Sequence, residues 1–137
     1  MNRKILYSDS VGFAQFVDIS FEMERINERV SLSPVLPATG VQFRTSPLNI
    51  FNDWHCSPKN NVQWVIVTQG LMKVSVRGGD SVTFAPGDMF LSMDIDTGIP
   101  EKNGHTSESL GDKPLETLFV KVPYEEAAQI LDKALGK

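Results

Sequence analysis

The chain has 137 residues, 41% of them hydrophobic and 22% charged, with 13 basic against 17 acidic side chains. That length suits one domain, residues 1–137, able to bury roughly two thirds of its unfolded surface, and the composition excludes disordered, repetitive and fibrous classes. A formal charge of −4 and a sequence pI near 5.1 leave no basic footprint, so neither nucleic acid nor a membrane surface is an expected partner.

The first ten residues, MNRKILYSDS, hold only Ile5 and Leu6 as an apolar core. A secretory signal needs roughly 7–15 such residues, and no run in the chain approaches a membrane span. One cysteine, Cys56, cannot form a disulfide within the chain. The expectation is a cytoplasmic protein.

In chain order, Val17, Ile19, Phe21 and Met23 of FVDISFEM alternate with polar or small residues, as a half-buried strand requires. The neighbouring FEMERINERV also reads as a helical turn or two. GVQFRT is a further short strand. From residue 62 the pattern sharpens into VQWVIVT, a Gln69-Gly70 turn, and LMKVSVR, in which Met72, Val74 and Val76 share a face. A second turn follows at Arg77-Gly78-Gly79-Asp80, and SVTFAPGDMFLSM is broken by Pro86-Gly87-Asp88. Residues 94–114 have almost no apolar content and read as a long loop, functional or disordered. LETLFVKV returns as a strand. PYEEAAQILDKALG closes the chain as a helix over about 124–135, with Pro123 and two glutamates opening it and Ala127, Ile130, Leu131, Ala134 and Leu135 on one stripe.

A meander of short strands from about residue 12 to 122 with one terminal helix predicts an all-β sandwich or barrel, since closing the sheet removes exposed edges. A small barrel keeps room for one small ligand in its mouth. QWVIVTQG, then PGDMFLSMDIDTG and GHT, resembles the cupins over about residues 40–122. That resemblance implies a double-stranded β-helix, the cupin jelly-roll barrel, with the C-terminal α-helix added.

The first cupin motif pairs two histidines with a glutamate that has six residues between it and a glycine. In this chain Gln63 stands at the glutamate position before Gly70, and HCSP supplies one histidine, His55. The second motif starts at Gly87 and ends at a histidine, placed at His105. The resemblance thus implies His55, Gln63 and His105 as candidate metal ligands. A complete set of imidazoles plus carboxylate holds iron, manganese, nickel or zinc. Two neutral imidazoles and an amide carry no charge to offset such an ion, so the set is incomplete and no cofactor is certain.

Other residues have plainer readings beside functional ones. Trp54, Gln63, Trp64 and Asp94 are candidate ligand-binding residues, although the indoles also suit a barrel wall and Asp94 and Asp96 could simply solvate a loop. His55 and His105 are the candidate catalytic groups. Cys56 reads as a small packed thiol rather than a nucleophile. The favoured reading is a barrel that binds a small organic ligand without chemistry. Two alternatives stand: a metal-dependent oxygenase or isomerase using His55, Gln63 and His105, and a metal-free acid/base isomerase with an aspartate orienting a histidine. The N-terminal strands, the helical stripe and the habit of cupins predict a homodimer.

Overall fold

Residues 1–137 are described by the structure, a computed structural model. Its strands are β1 (Asn2–Ser8), β2 (Ala14–Ser20), β3 (Glu24–Arg25), β4 (Ser31–Leu32), β5 (Gly40–Ser46), β6 (Phe51–His55), β7 (Gln63–Gln69), β8 (Leu71–Val76), β9 (Ser81–Phe84), β10 (Met89–Met93), β11 (His105–Leu110) and β12 (Leu115–Lys121). One helix, α1 (Tyr124–Ala134), follows.

Two sheets form the body, a six-stranded one in the order β2-β1-β10-β7-β12-β5 and a four-stranded one in the order β6-β11-β8-β9. From β5 to β12 the chain builds two facing four-strand sets, β10-β7-β12-β5 and β6-β11-β8-β9, and crosses between them at every connection except β8–β9, which is a hairpin within one. That connectivity is a jelly roll, the double-stranded β-helix that the resemblance implied. β7 and β8 illustrate the crossing. They are adjacent in sequence but lie in different sheets, and Gly70 turns the corner at φ 80°. A Cβ there would lie 2.9 Å from the Pro114 carbonyl oxygen, so the corner admits only glycine.

The six-stranded sheet is apolar on both faces, which is why VQWVIVT is an almost continuous apolar run. Its inner face supplies Leu6, Val65, Val67, Phe90 and Leu115, which meet Met72, Val74, Val76 and Phe84 of the opposite sheet. Phe84 and Phe90 stack with centroids 4.5 Å apart. Its outer face supplies Ile5, Ile19, Trp64 and Leu91, on which Ala127 of α1 is buried and Tyr124, Ile130, Leu131 and Ala134 pack. The helical stripe is therefore satisfied within its own chain.

Three expectations change. Residues 94–114 are not one loop, because β11 runs through them as an interior strand between β6 and β8. Its buried side chains are His105, Thr106, Ser107 and Ser109, all polar, so hydropathy gives it no signal. Ser109 Oγ instead donates to Pro47 O at 2.8 Å and accepts from Ile50 N at 2.9 Å. The fold also begins earlier than residue 12. β1 sits inside the sheet, antiparallel to β2 and parallel to β10, with Ile5 and Leu6 fully buried. FEMERINERV carries no helix and instead feeds the small hairpin β3–β4.

Candidate functional site

Five strand ends meet at one mouth of the barrel. His55 closes β6, Gln63 opens β7, Ser92 nears the end of β10, His105 opens β11 and Lys121 closes β12. Beneath them lies a cavity of about 210 Å³. Val65, Met72, Phe90 and Phe119 make its apolar floor, and His55, Cys56, Ser57, Asn61, Gln63, Ser92, His105, Ser107 and Arg44 supply the polar wall. A larger surface cleft of about 430 Å³ beside β1, β2 and β9 holds the mutually paired Lys4 and Asp18, but no imidazole or thiol.

The two histidines, fifty residues apart in sequence, are direct cross-strand partners. Their ring centroids are 4.2 Å apart at an interplanar angle of 58°. Gly104 permits this approach. At φ 84° it lies against the backbone of His55, where a Cβ would come within 2.9 Å of the His55 carbonyl oxygen. His105 is buried and its Nδ1–H donates to Asp94 Oδ2 at 2.6 Å. Asp94 is fully buried, and its Oδ1 accepts from Ser57 Oγ at 2.9 Å. Because Ser57 has one hydroxyl proton and gives it to the carboxylate, Ser92 Oγ, 2.8 Å away, is the donor to Ser57. His55 is exposed at the mouth, and its Nδ1–H donates to the Asp53 carbonyl at 2.6 Å. Both rings thus have Nδ1 committed, which leaves Nε2 as the lone-pair nitrogen of each neutral imidazole.

Gln63 lines the same cavity, but its Oε1 accepts a short hydrogen bond from Lys121 Nζ, which also donates to Asn61 Oδ1 at 2.7 Å. Burial pushes the Lys121 ammonium below its ordinary value. A divalent ion does not fit this donor set. No three His, Cys, Asp or Glu side chains converge anywhere in the chain, and the oxygen at the glutamate position of the cupin motif already faces a cation.

The remaining sequence candidates fall elsewhere. Trp64 is not on the cavity wall, because alternation along β7 turns Gln63 and Val65 inward and Trp64 outward, into the cluster under α1 beside Phe21. Trp54 lies outside the cavity lining, with the Arg77 guanidinium 4.0 Å over its ring. Asp94 stands behind His105 with both oxygens engaged, so it orients the imidazole and offers nothing to a ligand. Asp96 accepts from Asn103 Nδ2 at 2.6 Å and from Gly98 N at 2.8 Å, a loop-ordering role. Cys56 borders the cavity; burial, then the Asp94 and Asp96 carboxylates, push its thiol up, away from a reactive thiolate.

Sequence reasoning missed Arg44, Thr117, Phe119 and Lys121. Arg44 of β5 and Thr117 of β12 are Cα partners facing inward. The Arg44 guanidinium meets only soft groups, Met72 Sδ at 3.7 Å from Nη2 and the Phe119 ring at 5.2 Å from Cζ. Its Nε and the Thr117 hydroxyl are both buried without a hydrogen-bond partner. The available signal was that Arg44 is the lone charged residue from 35 to 52, in a strand whose other residues are small, amide or apolar.

The strand order settles the architecture. This is a cupin fold. No family model and no curated protein matches the chain. Among solved structures it is similar to the cupin domain of Schizosaccharomyces pombe Cnp3, at 14% identity and a TM-score of 0.45, over 96% of this chain and 90% of that one. No helix is long and apolar enough to cross a membrane.

Proposed function

We propose that this cupin barrel is a binding module for one small organic molecule, held in the cavity between the imidazole pair and Arg44. The observation that carries this reading is the cavity itself, with an apolar floor, an accessible mouth and two Nε2 atoms fixed by their own backbone and carboxylate partners. Its 210 Å³ is about the space of seven waters at ~30 Å³ each, which sets the ligand at a few carbons or one ring. The donor set supports a site that works without a divalent ion. The test is a fragment screen of acids, amides, alcohols and sugars, read from the histidine side-chain ¹⁵N resonances. Hits should shift both rings and be lost when Ser107→Phe fills the cavity; hits that survive the substitution would remove the barrel from consideration.

A second reading, metal-free proton transfer, rests on one specific observation: the buried Asp94–His105 pair with its serine relay orients an imidazole whose Nε2 is free to act as a base. Hydrogen–deuterium exchange at a bound fragment's acidic carbon, abolished in His105→Gln, distinguishes catalysis from binding.

A second copy of the chain is the proposed partner. β5 is an unpaired sheet edge with Val41 and Phe43 outward and exposed, and no charged residue faces outward along it to discourage pairing. Light scattering that returns the mass of one chain at micromolar concentration rejects the dimer.

A further inference from the structure

The cavity carries an electrostatic asymmetry that the ligand-site reading alone does not explain. Arg44 is always charged, and an uncompensated charge drawn out of water is costly. Yet Arg44 takes part in no ion pair; the chain's three are Lys4–Asp18, Lys73–Glu108 and His105–Asp94. Burial lowers the Arg44 guanidinium from its ordinary value, which marks the same cost. No carboxylate lines the cavity, and Asp94, behind His105, has both oxygens committed. Beside Arg44, across one strand pair, stands the Thr117 hydroxyl, also buried and also without a partner. Of the two, Arg44 lines the cavity, whose own lining holds no carboxylate, and an orphaned cationic donor there calls for an acceptor with a negative charge.

We infer that the cavity recognises a small organic acid, its carboxylate seated on the Arg44 guanidinium and its carbon body on the apolar floor. This rests on the reading of the cavity as a ligand site and adds the chemical class. A guanidinium presents parallel N–H groups that match a carboxylate, which a neutral amide cannot reproduce with charge. Met72 and Phe119, which now flank the guanidinium, become the walls that keep water from the pair. At the far end of the molecule, the Nε2 atoms of His55 and His105 are placed to meet a second polar group.

The experiment titrates benzoate and succinate against benzamide, succinamide and inorganic phosphate, following the Arg44 Nε–H resonance and the histidine side chains. The acids should bind saturably and shift Arg44 Nε–H, with the matched amides weaker by more than about 30-fold. Arg44→Gln should erase that preference, and Arg44→Lys should keep part of it. Amides that bind as tightly as acids, or a preference that persists in Arg44→Gln, overturn the acid class and leave the cavity reading standing. Phosphate binding more tightly than either acid overturns the carboxylate, and silence from every probe overturns the inference. Acids that still bind to Ser107→Phe overturn both readings, because they bind outside the barrel.

Discussion

The two walls of the cavity are built on opposite principles. On the β6/β11 side, the serine hydroxyls, the carboxylate and both Nδ1–H groups are satisfied: Ser92 donates to Ser57, Ser57 and His105 donate to Asp94, and His55 donates to its own strand. On the β5/β12 side, the Arg44 Nε is buried without a hydrogen-bond partner, and so is the hydroxyl of its strand neighbour Thr117. The first wall is an internal structural network that stabilises the fold by its completeness. The second lowers the stability of the ligand-free fold, and natural chains retain such sites where function needs them. The network that stabilises the fold and the proposed seat for a ligand's charge thus lie on different strands of one cavity.

Substitutions on the two walls should accordingly differ in sign. Asp94→Ala should have the largest effect, a loss of about 3–5 kcal/mol in urea denaturation, since it strands Ser57 and His105 in a buried position; a loss below about 1 kcal/mol would break the contrast at its satisfied end. Gly104→Ala comes next. It combines a left-handed φ of 84° with a backbone collision at His55, at a cost of about 2–3 kcal/mol. It should also part the imidazoles, seen as weaker ring-to-ring nuclear Overhauser effects. Arg44→Met should instead stabilise the ligand-free protein, by about 1–2 kcal/mol, less than a fully desolvated charge would give because Arg44 keeps some contact with water. A melting temperature lower than the parent's would erase the difference between the walls.

The smallest effect is a pH slope. Burial lowers the folded-state value of Lys121 from 10.5, so between that lowered value and 10.5 the unfolded chain binds more protons. Stability should therefore rise with pH across that window, and the penalty is fully present at neutral pH. Lys121→Gln should flatten the slope in denaturation curves taken from neutral to alkaline pH. An unchanged slope would assign it to another group.

Much of this contrast was hidden in the sequence for identifiable reasons. The strands around VQWVIVT and LMKVSVR were legible because their apolar periodicity is strong, and α1 because its stripe is. The same apolar richness hid which face of β7 is which: both faces are buried, so alternation could not say that Trp64 points away from the cavity. β11 was invisible because serines and threonines fill it, and hydrogen bonds rather than hydropathy bury them. His55 and His105 were found by motif, but their contact depends on a cross-strand register that no local spacing encodes. Arg44 was in plain view as a single charge in GVQFRT. Its meaning required knowing that it forms no ion pair and that no carboxylate lines the cavity it faces.

The position of β1 bears on the order of assembly. Lys4, Ile5, Leu6 and Tyr7 align with Phe90, Leu91, Ser92 and Met93, in the one parallel pairing of the body. During synthesis, β1 must therefore wait until β10 has been made before its inner partner exists, paired meanwhile with β2 alone. An isolated two-stranded hairpin is marginal in water, so Ile5 and Leu6 stay exposed through that interval. Such distant pairing slows folding and lengthens the time at risk of aggregation. Refolding should accordingly be slow for a chain of this size, with a rate-limiting step that a crosslink between β1 and β10 accelerates and one between β1 and β2 leaves nearly unchanged.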